Sequence, residues 1–371
     1  MLEMVIFTIT SRCNARCRMC NMWQRNDPDI PFDKVSEVLG AAAIKDSVMN
    51  LLLTGGEPSL RQDLPEIFDF SFRNLRKLKY ASTFTNSLTP KLTQEAVEKT
   101  LSFQKSSGRT DVSFGVTLSL DGIGKTHDRV RGVDGAFGRV MENYLGLKAL
   151  SLHHPFSVNF SCLVQRENIA EDGVFALLEA AEGAILPITF PIVYGKDIFL
   201  NRACDNAWSI AEEGLREKVV RFYERAVELS ESGGLIVDNG AFYKHVLAQL
   251  KGAPRTLPCL FREMKACTID SDGGVYLCDV TSDSFIGNIY EKSFDELWNS
   301  EQRNAARAKM IKHCANCYSS CVGSGRYQLV ETWRTGGMAG IAKLSVHELR
   351  KRIRRVSRLI REYRYAVIPR L

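Results

Sequence analysis

Through its first 195 or so residues the chain alternates two kinds of segment, and that alternation limits the fold more than any other feature. Short apolar or β-branched runs stand at 4–9, 49–54, 80–85, 112–120, 156–164 and 185–193. Between them, apolar residues recur at helical spacing over 33–45, 64–76, 90–105, 136–150 and 170–181. In the first of these Val35, Val38, Leu39 and Ala41–Ala43 share one face; in the fourth, Phe137, Val140, Met141, Tyr144 and Leu147 do. Strands alternating with helices build βαβ units, in which each helix carries the chain back to start a parallel strand. Six such strands fit a (β/α) barrel, closed or open, or a doubly wound sheet.

Beyond this repeat the pattern changes. Residues 205–251 read as two helices, the first marked by Ile210, Leu215, Val219, Phe222 and Ala226 and ended by Ser232–Gly234. Residues 257–326 are rich in Cys and Gly, with a helical signal only around Phe294–Met310. A loop-rich segment buries little apolar surface and is expected to need metal to hold it. At about 150 residues per domain, 371 residues make about two domains or one large one. The expected division is 1–200, a helical connector at 201–256, a cysteine-rich unit at 257–326 and a tail at 327–371.

Eleven cysteines are too many and too clustered to be incidental, and their meaning depends on the compartment. The opening MLEMVIFTIT has neither the basic flank nor the small-residue cleavage site of an export signal. No apolar run reaches the roughly 18 residues of a membrane span. The expectation is a cytoplasmic protein, in which grouped cysteines are metal ligands rather than disulfides.

Three thiols, Cys13, Cys17 and Cys20, follow the first strand at C-x3-C-x2-C spacing. Such a loop can ligate three irons of a cubane and leave the fourth iron open, whereas a structural zinc site wants four ligands. Thr54-Gly55-Gly56-Glu57-Pro58 ends the second strand. Its glycines admit close approach to the backbone, and its carboxylate can take a cationic amine. The late group comprises Cys259, Cys267, Cys278, the knuckle Cys314-Ala-Asn-Cys317, and Cys321; zinc and iron–sulfur both accommodate that spacing. Cys162 and Cys204 stand apart and read as ordinary cysteines. His153-His154 reads as a polar loop, and Tyr194 and Asp197 follow the sixth strand on the side where substrate is expected.

With these residues the chain resembles a radical S-adenosylmethionine (SAM) enzyme carrying a C-terminal SPASM or twitch domain. The resemblance rests on CNARCRMC at 13–20, TGGEP at 54–58, Thr85-Asn86, SLDG at 119–122, RVRG at 129–132 and the late cysteines, and runs to about residue 325. It implies an α/β fold: a partial (β/α)6 barrel, a small loop-rich iron–sulfur domain and a basic C-terminal helix. It further implies a SAM-binding 4Fe–4S cluster on Cys13, Cys17 and Cys20. SAM would be held by Gly55, Gly56, Glu57, Asn86, Ser119 and Arg131, the last with a loose match and a solvated surface role as its alternative. The late cysteines depart from the two-cluster SPASM pattern: there are six after residue 258, with a shortened C-x2-C-x3-C and none beyond Cys321. One auxiliary 4Fe–4S cluster on Cys259, Cys278, Cys314 and Cys317 is therefore expected, with Cys267 or Cys321 as substitutes.

The implied activity is reductive cleavage of SAM to a 5′-deoxyadenosyl radical that takes a hydrogen atom from substrate. An oxidation, dehydrogenation or cross-link assisted by the auxiliary cluster would follow, with a flavodoxin- or ferredoxin-type electron donor. A peptide maturase of the same superfamily is the alternative, and a non-catalytic zinc or iron–sulfur protein is the rival of a different class. The chain starts at the barrel's first strand, which tilts the expectation towards a small molecule or a peptide presented by a separate protein.

Charge is uneven. Net charge is +6 overall, yet residues 343–371 hold ten basic and two acidic side chains. Ser345 to Glu348 reads as a capping box, and Val346, Leu349, Ile353, Val356, Ile360 and Tyr363 form one stripe of a helix. The bland expectation is a docked helix with a solvated cationic face. The sharper one is an anionic partner or membrane surface. No nucleic-acid motif is present.

Overall fold

The computed structural model describes residues 1–182, 186–193, 197, 213–235, 239–315 and 317–319. Cys204, Tyr194, Cys321 and the whole basic tail lie outside the described residues.

The strand–helix repeat forms as expected. β1 (Met4–Thr10), buried along its whole length, leads to α1 (Phe32–Gly40) and the single turn α2 (Ala42–Lys45). β2 (Asn50–Gly55), α3 (Leu64–Asn74), β3 (Tyr80–Thr85) and α4 (Pro90–Ser106) follow. Pro65 and Pro90 stand in the first turns of α3 and α4, where a missing N–H costs nothing. Next come β4 (Ser113–Ser119), α5 (Lys125–Arg131), α6 (Ala136–Leu150), β5 (Ser157–Ser161), α7 (Arg166–Ala170), α8 (Gly173–Ala181) and β6 (Ile188–Thr189). Strands β1 to β6 pair in chain order and in parallel. Among the described residues β6 does not pair with β1, so the barrel is partial.

Three expectations are corrected. The helix expected over 33–45 is two, because Ala41 leaves the helical region and the Asp295 carboxylate accepts from the N–H groups of Ala42 and Ala43, both at 2.8 Å. The helix expected over 170–181 begins at Gly173, after Asp172 adopts a positive φ of 57°, and a separate short helix, α7, precedes it. The sixth strand shrinks to two paired residues plus a bridge between Val164 and Ile192.

The largest departure is in the cysteine-rich stretch. After α9 (Glu213–Glu231) and α10 (Gly240–Leu250) come β7 (Ala266–Ile269), β8 (Gly274–Tyr276), β9 (Phe285–Asn288), α11 (Phe294–Trp298) and α12 (Glu301–Met310). β7 pairs in parallel with β1, and β8 and β9 continue antiparallel, giving one nine-stranded sheet in the order β6-β5-β4-β3-β2-β1-β7-β8-β9. Ile269, Val275, Ile286, Phe294 and Trp298 enter the same apolar core as Phe7, Leu53 and Val116. Between its loops this stretch is therefore tied to the barrel by sheet pairing and apolar burial, which its composition did not imply.

Candidate active site and auxiliary metal centre

Parallel strands place all their C-terminal ends on one side, where loops can converge. Immediately after β1, Cys13, Cys17 and Cys20 gather in a small apolar cluster with Ala15, Met19, Leu88 and Val130. The loop is tied by a bond from Cys20 N–H to the Cys17 carbonyl (3.3 Å) and one from Arg16 N–H to the Arg131 carbonyl (2.9 Å). Burial pushes the Cys13 thiol up to about 11 and the Cys20 thiol up to about 12, and raises Cys17 as well. Two donors stand ready for the ionised form: the Asn86 side-chain amide lies 3.6 Å from Cys13 Sγ, and the Arg131 guanidinium 3.6 Å from Cys17 Sγ.

The two glycines at the end of β2 are required by the chain itself. A Cβ on Gly55 would lie 2.2 Å from the Thr10 carbonyl oxygen, and one on Gly56 2.3 Å from that of Arg12. Gly56 N–H and Glu57 N–H donate to those same two oxygens at 2.9 and 2.8 Å. The end of β2 thus lies against the root of the cysteine loop, closer than any side chain allows.

Glu57 is fully buried. Its Oε1 accepts from Ser59 N–H (3.2 Å), Ser59 Oγ (2.7 Å) and Thr85 Oγ1 (2.9 Å), and its Oε2 from Asn86 N–H (2.6 Å). Burial pushes this carboxyl upward while the four donors pull it back. The carboxylate fastens the end of β2 to the end of β3, and through Asn86 to Cys13. Ser119 stands half-buried at the end of β4, in register with Ser161 of β5.

Arg131 is buried, which removes the solvated-surface alternative for it. Its Nη2 pairs with Asp121 Oδ2 at 2.5 Å, and Asp121 in turn accepts from Leu163 N–H at 2.8 Å. The Asp121 N–H donates to Nδ1 of buried His127 (3.0 Å), and burial holds that imidazole neutral, its pKa well below the usual range. Asp121 and His127 lie within or beside the SLDG run, but nothing in their spacing marks them as partners of Arg131 and of each other.

A second constellation lies where β8 ends. Cys259, Cys278, Cys314 and Cys317 line one pocket with Arg255, Phe261, Thr281 and His313, enclosing about 430 Å³ of empty space that includes its open mouth. The four expected auxiliary ligands are thus brought together from segments far apart in the chain. Cys267 is corrected: it lies within β7, fully buried in the main core, and does not line that pocket. Cys162 is also a core residue. Asp197 accepts from Ser282 N–H (2.7 Å) and Ser282 Oγ (3.0 Å), close in sequence to Cys278. Arg255 and His313 were missed: a lone Arg after a Pro, and a His beside a Cys, carry no distinguishing pattern.

Comparison with known proteins decides the family. The family model described as the radical SAM superfamily matches residues 7–178, and that of an iron–sulfur cluster-binding domain, SPASM, matches residues 259–318. The chain belongs to the radical SAM superfamily and carries a C-terminal SPASM domain. It is 26% identical to the Fe-coproporphyrin III synthase of Methanosarcina barkeri, with 88% of this chain and 83% of that protein covered. It is 24% identical to the mycofactocin maturase MftC of Mycobacterium tuberculosis, covering 85% and 76%. In fold it is similar to anSMEcpe with bound SAM (TM-score 0.58, 17% identity, 92% of this chain and 99% of that one). Streptococcus suis SuiB bound to its precursor peptide SuiA is another such neighbour (TM-score 0.56, 12% identity, covering 83% and 67%).

Radical SAM and SPASM domains imply 4Fe–4S clusters and SAM, and this chain is an enzyme of that superfamily. Its donor sets fit. Among the described residues no three or more His, Cys, Asp or Glu close on a single metal ion. The thiols of a cubane each bind a different iron, so they need not meet at one point. Buried soft sulfurs with an amide and a guanidinium aimed at them suit an anionic sulfide cluster.

Proposed function

We propose that this radical SAM enzyme oxidises a polar substrate in two one-electron stages, using the end of its barrel for the first and the auxiliary pocket for the second. When bound at Cys13, Cys17 and Cys20, the cluster and SAM supply a 5′-deoxyadenosyl radical that takes a hydrogen atom from substrate. The chain's own task is to hold that encounter. Asn86 and Arg131 offset charge on the sulfurs, and the Gly55–Gly56 backbone and Ser119 offer contacts to the methionyl group. Leu88, Val130 and Val193 keep water from the loop.

The auxiliary pocket carries the second half of this reading. Four thiols saturate a cubane, so a cluster there would have no open iron and would suit electron transfer better than substrate binding. An apolar layer of Met4, Ile6, Leu52 and Phe261 lies against Cys259 and Cys278, joining the barrel's first two strands to that pocket. It keeps that side of the pocket apolar.

The substrate class follows from the barrel wall. Val116, Leu118, Val158 and Phe160 face the core, so alternation turns Thr117, Ser119, Asn159 and Ser161 to the other face, where all four are half-buried. Uncharged hydroxyls and amides suit a peptide segment or a hydroxyl-bearing small molecule. SuiB's precursor peptide favours the former. Arg12, Arg16 and Arg18 stand exposed on the cysteine loop and offer a docking rim to an acidic flavodoxin- or ferredoxin-type donor.

Iron counting tests this reading. Replacing Cys278 or Cys317 by Ala should lower iron from about eight to about four per chain, with uncoupled SAM cleavage surviving. Twelve irons in the intact protein, or SAM cleavage lost with the auxiliary thiols, would contradict it.

A further inference from the structure

We propose that Arg255 sets the redox poise of the auxiliary centre, by fixing the segment that carries Cys317 and by presenting a cation and an unshared N–H to the pocket the four thiols line. This rests on reading that pocket as an iron–sulfur site. Arg255 lies between α10 and Cys259, on the pocket wall. Its Nη1 donates to the carbonyls of Cys317 (2.7 Å) and Ser319 (3.0 Å), and its backbone N–H donates to the Ala315 carbonyl (3.4 Å). One residue therefore grips the knuckle by both main chain and side chain.

Its remaining arm is the informative one. Nη2 is buried and has no hydrogen-bond partner among the described residues. No carboxylate among them pairs with this guanidinium either, whereas buried Arg131 has Asp121 and half-buried Arg25 has Asp27 and Asp270. A buried donor left unpaired is costly, so a group that accepts from it is expected. The thiolates and sulfides of a cluster are such acceptors. The charge is felt at one of the four thiols: burial raises Cys259, and Arg255 is among the groups that pull it back.

Reduction adds one electron to the cluster and so one negative charge. A fixed cation and an N–H bond to sulfur favour the reduced form and raise the potential. That suits a centre meant to accept an electron from a substrate radical.

The test is a potentiometric titration of the anaerobically reconstituted full chain, followed by electron paramagnetic resonance with SAM present to separate the two signals. In R255Q the ratio of reduced to oxidised auxiliary cluster at fixed potential should fall about tenfold, a midpoint about 59 mV lower for one electron. R255K, which keeps the charge, should stay within about threefold of the unsubstituted protein. About eight irons in R255Q with an unmoved midpoint would overturn the assignment, as would equal shifts in R255Q and R255K. Should R255Q lose auxiliary iron, the unsubstituted protein grown on 15N-arginine decides. A weak 15N coupling to the reduced auxiliary signal supports the contact, and its absence refutes it. Four irons in the unsubstituted protein would remove the cluster reading itself, an outcome distinct from either.

Discussion

At the scale of single residues, the site is built by satisfying backbone and carboxylate before any ligand arrives. Gly55 and Gly56 let the end of β2 touch the cysteine loop, and Glu57 spends its acceptors on Ser59, Thr85 and Asn86. The thiols remain as the titratable groups of the loop, and in the metal-free protein they are held protonated by burial. This has a pH consequence with a definite sign. Exposed thiols titrate near 9.0, while folded Cys13 holds its proton to about 11 and Cys20 to about 12. Between those values the folded state binds more protons than the unfolded one, so stability falls as pH rises. Urea midpoints of metal-free protein should be flat between pH 7 and 8 and decline above about 9. A Cys13→Ser, Cys20→Ser double variant should decline less; an equal decline would mean these thiols are not the cause.

At the scale of elements, short pieces are stabilised by neighbours remote in sequence. α2 is one turn long, and its first two N–H groups are capped by Asp295 of α11. Asp295→Ala should cost about 1 kcal/mol, as losing a helix cap does, and Asp295→Asn less. Thermal unfolding of the two variants checks this; equal behaviour of Ala, Asn and the unsubstituted chain would show that the contact contributes nothing. The same example shows where reading the sequence stops. The apolar periodicity of 33–45 is continuous, and only a carboxylate two hundred and fifty residues later explains the break. β7 to β9 were hidden for a related reason: each has three or four residues, too few for alternation to show, and β7 exists because β1 offers it an edge. The long elements β1 to β4, α3, α4 and α6 were legible because each carries its own period.

At the scale of the whole molecule, the parallel pairing of β1 with β7 joins the cysteine-rich stretch to the barrel's first strand. One strand, β1, carries Cys13, Cys17 and Cys20 just past its end, and on its flank β7, whose antiparallel partner β8 leads to Cys278. Both cysteine groups were visible from spacing alone, and Cys259, Cys278, Cys314 and Cys317 line one pocket. Cys267 could not be excluded from spacing, because a core cysteine and a ligand look alike until the strand is placed. No helix among the described residues is long and apolar enough to cross a membrane. The central claim is that the loop after β1 cleaves SAM, and one assay addresses it. The full chain and its Cys17→Ala variant are reconstituted anaerobically with iron and sulfide, reduced with dithionite and given SAM. The unsubstituted protein should release 5′-deoxyadenosine, while Cys17→Ala should release none and keep about four irons at the auxiliary pocket. Release of 5′-deoxyadenosine by Cys17→Ala, or a colourless, zinc-loaded protein that leaves SAM intact, would contradict it.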